Sequence, residues 1–116
     1  MNSSEMAAEI ASILDSKKGI DIETIDVSDK TTLADYFVIC SGNSTTQIKA
    51  LADEVEYVLK TKFSIYADHV EGHGTNRWIL IDYKDVVVHV FHQEERSTYN
   101  LEKLWDTKQK NADVAQ

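Results

Sequence analysis

The stretch "WILIDYKDVVVHVFH", residues 78–92, constrains the fold more than any other part of the chain. Two apolar runs flank a break around Tyr83-Lys84-Asp85 that has room only for a tight turn, so they predict an antiparallel hairpin. A hairpin excludes a purely parallel sheet. Trp78, Leu80 and Asp82 fall on one face of its first strand, and Ile79, Ile81 and Tyr83 on the other. Both faces therefore carry large apolar groups. The residues alone leave two readings open. Either helices cover both faces, or one face is an apolar and aromatic strip, rimmed by acids, that binds protein.

The rest of the chain supplies the partners of that hairpin. Ser3 and Ser4 are placed to cap a first helix with an apolar face of Met6, Ala7, Ile10, Ile13 and Leu14, and Gly19 is placed to end it. "IDIETIDV" (20–27) reads as a strand: Ile20, Ile22 and Thr24 share one face, Ile25 and Val27 the other, and the break in phase predicts a bulge. "YFVIC" (36–40) is apolar throughout, as an interior strand is. Ser44 to Gln47 fits a capping box, in which Ser44 caps the first turn and Gln47 reaches back. It opens a helix with Ile48, Leu51, Ala52, Val55, Val58 and Leu59 at helical spacing. "SIYADHV" (64–70) predicts a further strand, followed by a loop from Glu71 to Asn76. "EERSTYNLEKLW" (94–105) predicts a last helix buried through Thr98, Leu101, Leu104 and Trp105. From Lys108 the chain is polar. The order helix, two strands, helix, three strands, helix predicts one α/β domain over residues 1–107, with a mixed sheet of about five strands and a polar tail at 108–116.

Charge narrows the function classes. With 12 basic against 20 acidic residues the formal net charge is −8. Such a chain gains little from counterion release on a phosphate backbone and is drawn instead to basic protein surfaces. No apolar run has the length of a membrane span. A single cysteine, Cys40, lies inside an apolar run. It reads as a small core residue in a reducing, cytoplasmic setting.

Motifs for chemistry are weak. Ser41-Gly42-Asn43-Ser44-Thr45 joins a strand to a helix N-terminus, which is the ground plan of phosphate sites and of the nucleotidyltransferase loop. It lacks the P-loop Lys-Ser/Thr and the G-x-G-x-x-G spacing. Carboxylates on one strand face, needed to hold two metal ions, are missing too: Asp53, Glu54 and Glu56 lie on the helix, and Asp82 and Asp85 straddle a turn. A turn with an ordinary N-cap is the simpler reading. His89 and His92 are sent to opposite faces of a strand, and His69 and His73 flank Gly72. No Cys accompanies either pair at zinc-ligand spacing. His89, among valines, reads as a hydrogen-bonded histidine near the core or at an interface. No catalytic, metal or cofactor residue is assigned.

"ADYFVICSGNSTTQIKALADEV" (34–55), "VEG" (70–72) and "WILIDYKDVVVHVFHQEERSTYNLEKLW" (78–105), in this order and spacing, resemble the ribosomal silencing factor family, also called Iojap-like. The resemblance runs from about Ile20 to Trp105. It implies a nucleotidyltransferase-like mixed α/β fold that is not known for catalysis. It implies binding to large-subunit ribosomal protein fourteen, on the face that meets the small subunit. Subunit joining would then be blocked and translation lowered when nutrients are scarce. Homodimers of the free protein are implied as well. Carried onto this chain, the resemblance makes Trp78 and Leu80 apolar anchors and Glu71, Asp82 and Asp85 acidic rim contacts, with Tyr83, Lys84 and His89 as further contacts. Arg96 and Tyr99 also match the family pattern. One departure stands out: Lys84 occupies a turn position where the family usually has glycine. A left-handed backbone there costs a lysine about 1 kcal/mol. The rival readings are a metal-dependent nucleotidyltransferase-like enzyme and a general acidic interaction module.

Overall fold

The computed structural model describes residues 1–99. Eight elements follow in the expected order: α1 (Ser3–Ser16), β1 (Ile20–Asp26), β2 (Tyr36–Gly42), α2 (Thr45–Phe63), β3 (His69–Glu71), β4 (Trp78–Asp82), β5 (Val86–His92) and α3 (Gln93–Tyr99). The five strands form one sheet in the order β1-β2-β5-β4-β3. β2 and β5 pair in parallel at its centre, and every other neighbour pair is antiparallel. The mixed five-stranded α/β fold read from the sequence is the fold of the chain. The side chains of Thr98, Leu101, Leu104 and Trp105 and the tail from Lys108, on which the last helix and the 1–107 boundary were read, lie outside the described residues.

Helices α1 and α2 pack against each other and on the same face of the sheet. Their apolar stripes, with Ile10, Leu14, Ile48, Leu51, Val55 and Leu59 fully buried, meet Val38, Cys40, Ile79, Ile81, Val88 and Val90 from the strands. Each such side chain contributes roughly 1.5–3 kcal/mol through burial. Burial also raises the Cys40 thiol pKa to about 11, so it stays a protonated core residue. On the other face of the sheet lies α3, against β5 and β2.

Local chemistry departs from the sequence reading at several ends. The cap of α1 is Asn2 rather than Ser3 or Ser4, because its side chain accepts from the Glu5 N–H at 2.8 Å while the Glu5 carboxylate accepts from the Asn2 N–H at 3.0 Å. Lys18, at φ 64°, makes the left-handed turn out of α1. Gly19 is required by space instead: a Cβ there would overlap the Cys40 sulfur. Ser44 caps α2 as expected, accepting from the Gln47 N–H at 3.1 Å. Gln47, however, reaches one residue further back, its Oε1 accepting from the Asn43 N–H at 2.7 Å. The bulge in β1 is present between Ile20 and Glu23, around Asp21 at φ 50°. It turns Ile20 toward the face of Ser41 while Ile22 packs on the helix-covered core, so the two do not share a face. The strand predicted over 64–70 shrinks to His69–Glu71, because Ser64 at φ 56° first closes α2 in a left-handed cap.

Candidate protein-docking surface

Strand alternation assigns the residues singled out in the hairpin. Ile79 and Ile81 are fully buried under the helices, whereas Trp78, Leu80 and Asp82 are half-buried on the opposite face. Glu71 pairs with Leu80 and His69 with Asp82, which extends that face across β3. Leu80 pairs with His89 and Trp78 with Phe91, which extends it across β5. Helices meet the hairpin from both faces: α1 and α2 both lie on one side. On the other, α3 packs against β5 and β2.

Trp78 is held in place by its neighbours. Its indole Nε1–H donates to Nδ1 of His89 at 3.2 Å, and its ring meets Phe91 edge to face at 4.6 Å. His89 itself is 5% exposed and stacks edgewise on Phe37 at 4.9 Å. Burial lowers its pKa to about 4, so the ring is neutral at physiological pH. The sequence expectation of a hydrogen-bonded histidine near the core describes it well.

Acids surround Leu80 on the β3 side. His69 lies between them, its Nε2 3.0 Å from Glu71 and its Nδ1 3.6 Å from Asp82. Asp82 also shapes the turn, accepting the Lys84 N–H at 2.7 Å, while Lys84 takes φ 73°. The position where the resemblance expects glycine is thus a left-handed one. The Lys84 ammonium is 3.8 Å from Asp68 and lies beside the acidic rim. Asp85 is exposed, and its carbonyl accepts from Asp35 and Tyr36, fixing the turn against β2.

Two expected residues behave differently from the rest. Tyr83 belongs to the helix-covered core at 7% exposure, and burial pushes its phenol pKa up. It does not share the face of Trp78 and Leu80. Arg96 is 8% exposed and binds α3 to the sheet, donating to Ser41 Oγ at 2.8 Å and to Glu23 at 3.0 Å. That contact also occupies the Ser41 hydroxyl of the loop weighed as a phosphate site. The side chain of Tyr99 lies outside the described residues.

Metal-type groupings are modest. Asp68, His69 and Asp82 form one trio and Asp53, Glu56 and His73 another, each with ligand atoms within 4.8 Å. His69 and His73, which flank Gly72, fall in separate trios. Both trios sit at the surface, with His69 Nδ1 3.6 Å from Asp82 and His73 Nε2 3.7 Å from Glu56. Sequence reasoning missed the contribution of the β1–β2 connection, where Leu33, 84% exposed, and Ala34 join Phe37, Leu80 and Val87 around a cleft. Only an apolar Leu33 in the polar "SDKTTLAD" signalled it. No described helix is long and apolar enough to cross a membrane.

A family model described as "Ribosomal silencing factor during starvation" matches residues 1–116. The chain belongs to the ribosomal silencing factor family. Its similarity to the ribosomal silencing factor of Bacillus subtilis is 44% identity, covering 90% of this chain and 88% of that one. The chloroplastic Iojap protein of Zea mays is 30% identical, covering 85% of this chain and 42% of its own length. A crystal structure of a Chromobacterium violaceum protein superposes with a TM-score of 0.87 at 36% identity, covering 90% of this chain and 87% of that one. A Bacillus halodurans structure reaches 0.73 at 40% identity, covering 87% and 90%. Membership of the silencing factor family supports a role in ribosome silencing.

Proposed function

We propose that this chain is a translation repressor that docks on the large ribosomal subunit through ribosomal protein fourteen and keeps the small subunit from joining. The observation that carries the reading is the face of the hairpin itself. Trp78 and Leu80 form an apolar strip with Glu71, Asp82 and Asp68 along its β3 side, on a chain of net charge −8. An apolar centre with an acidic rim suits a basic ribosomal protein, anchored by aromatic and aliphatic burial and steered by charge. A contact of ordinary size is enough, because the docked domain excludes the small subunit by volume.

In this reading Trp78 and Leu80 are anchors and Glu71, Asp82 and Asp85 rim contacts. Lys84 moderates the acidic field. His89 orients Trp78 from the neighbouring strand, and Tyr83 supports the hairpin from the core. The docking acts in the cytoplasm, without a cofactor, and the free chain is a homodimer. The nucleotidyltransferase alternative loses ground at its own loop, where Ser41 is 1% exposed and its hydroxyl is bound by Arg96.

Sedimentation with isolated large and small subunits, followed by a subunit-joining assay, tests the proposal. Binding to the large subunit alone, with joining blocked and binding lost in Trp78→Ala and Asp82→Lys, is expected. Folded variants that bind as the parent does would remove the hairpin from the interface.

A further inference from the structure

The acidic rim of the hairpin face carries a titratable group of its own. His69 is exposed at the start of β3, and each of its ring nitrogens faces carboxylate oxygen. Nε2 is 3.0 Å from Oε2 of Glu71, while Nδ1 is 3.6 Å from Oδ2 of Asp82 and 3.9 Å from Oδ2 of Asp68. The Lys84 ammonium stands beyond Asp68, 3.8 Å from its other oxygen. From the β1–β2 connection, the neighbouring Thr31, Leu33 and Ala34 bring no charge. The ring is thus set among three acids, from β3, β4 and the residue before β3.

Carboxylates accept hydrogen bonds and donate none. A neutral imidazole has one N–H and one lone pair, so here one nitrogen would turn its lone pair toward a carboxylate. A ring with both nitrogens protonated presents a donor on each side. Imidazole is also the side chain that gains or loses its charge between about pH 5 and 8. With the second proton on, it cancels one of the three negative charges around it. It also occupies oxygens that a lysine or arginine head of a docking protein would use.

We propose that His69 is a proton-controlled counter-ion of the docking rim: its charged ring and a basic head group of the partner compete for Glu71, Asp68 and Asp82. The inference rests on the docking reading above and adds a regulation to it. Docking expels the second proton of His69 to solvent, so binding strengthens as pH rises through the neutral range. The coupling is reciprocal, because whatever the partner takes from the proton's affinity the proton takes from the partner's. One linked proton changes affinity at most about tenfold per pH unit. Acid therefore weakens silencing at the rim, where charge steers the partner, and leaves the Trp78 and Leu80 anchors as they are.

Sedimentation with isolated large subunits between about pH 6 and pH 8, at constant ionic strength, tests the competition. His89, with its pKa of about 4, stays neutral throughout. The parent is expected to bind roughly five- to tenfold more tightly at the alkaline end. His69→Gln keeps a donor for Glu71 but takes up no proton. It should bind at the acid end as tightly as the parent does at the alkaline end, with the pH slope gone. His69→Lys fixes a positive charge in the rim and should bind weakly across the whole range. Both changes lie at an exposed position, away from the core. A parent whose binding ignores pH overturns the competition and leaves docking in place. So does a slope that survives unchanged in His69→Gln, or a His69→Lys chain that binds as tightly as His69→Gln. A parent chain that ignores large subunits at every pH overturns both readings.

Discussion

The backbone N–H of Lys84 donates to the Asp82 carboxylate at 2.7 Å while Lys84 itself sits at φ 73°. An aspartate two residues ahead therefore holds a lysine in a conformation that suits glycine. The Asx-type hydrogen bond offsets part of the strain, which for an L-residue is about 1–2 kcal/mol. Lys84→Gly is expected to raise stability by about 0.5–1 kcal/mol in urea unfolding, with Asp82 retained as the turn acceptor. Because it also removes a cation 3.8 Å from Asp68, the same variant should bind large subunits more tightly at low salt.

Gly72 presents the opposite case. It has φ 101°, and a Cβ added there would overlap the carbonyl oxygen of Trp78. Gly72→Ala must therefore push the β3 end away from the start of β4. A loss of about 2–4 kcal/mol in unfolding free energy is expected, of the size seen where backbone strain adds to a clash. Near-ultraviolet circular dichroism would report the displaced indole.

Arg96 ties α3 to β1 and β2 through a nearly buried guanidinium. Arg96→Ala should cost about 2 kcal/mol, since the Ser41 hydroxyl and the Ile20 carbonyl lose a charged donor. Arg96→Lys should recover little, because one ammonium cannot span Ser41 and Glu23 together. Glu23→Gln is expected to cost less than about 1 kcal/mol, its side chain being 52% exposed.

Acid should weaken the fold through His89. Its folded pKa of about 4 lies below the ordinary 6.5, so the unfolded chain takes up that proton first as pH falls. The stability gained from a neutral His89 is complete above about pH 6.5, declines as pH drops, and is spent by about pH 4. The decline is about 3 kcal/mol. In His89→Gln, which keeps an acceptor for Trp78, urea midpoints measured across this range should fall less steeply.

Element types were legible where one face of a segment is apolar and the other is not. The stripe from Ile48 to Leu59 specifies α2 whatever its surroundings, and the hairpin follows from two β-branched runs around a short break. Ends were less legible because they depend on competition among neighbouring groups. Asn2 displaces Ser3 as a cap only because Glu5 completes the reciprocal pair. Residues 64–68 have strand-like composition, yet after the left-handed turn at Ser64 Ile65 and Ala67 pack on the core, and the pairing with β4 begins with the Asp68 N–H donating to the Asp82 carbonyl. The surface was half legible. Trp78, Leu80 and Asp82 follow from simple alternation, whereas the cleft needs Leu33 and Val87, far apart in sequence, to be brought together by the parallel pairing of β2 with β5.

That central pairing joins residues 36–42 to residues 86–92, about 50 positions later. Contacts between distant segments form late, after the chain between them has been made and gathered. On a translating ribosome the first strands must wait without their parallel neighbour until β5 has left the exit tunnel. Trp78 gains its hydrogen bond from His89 at that same late moment. The face proposed to silence ribosomes is therefore assembled only after both segments, and the chain between them, have emerged from the ribosome.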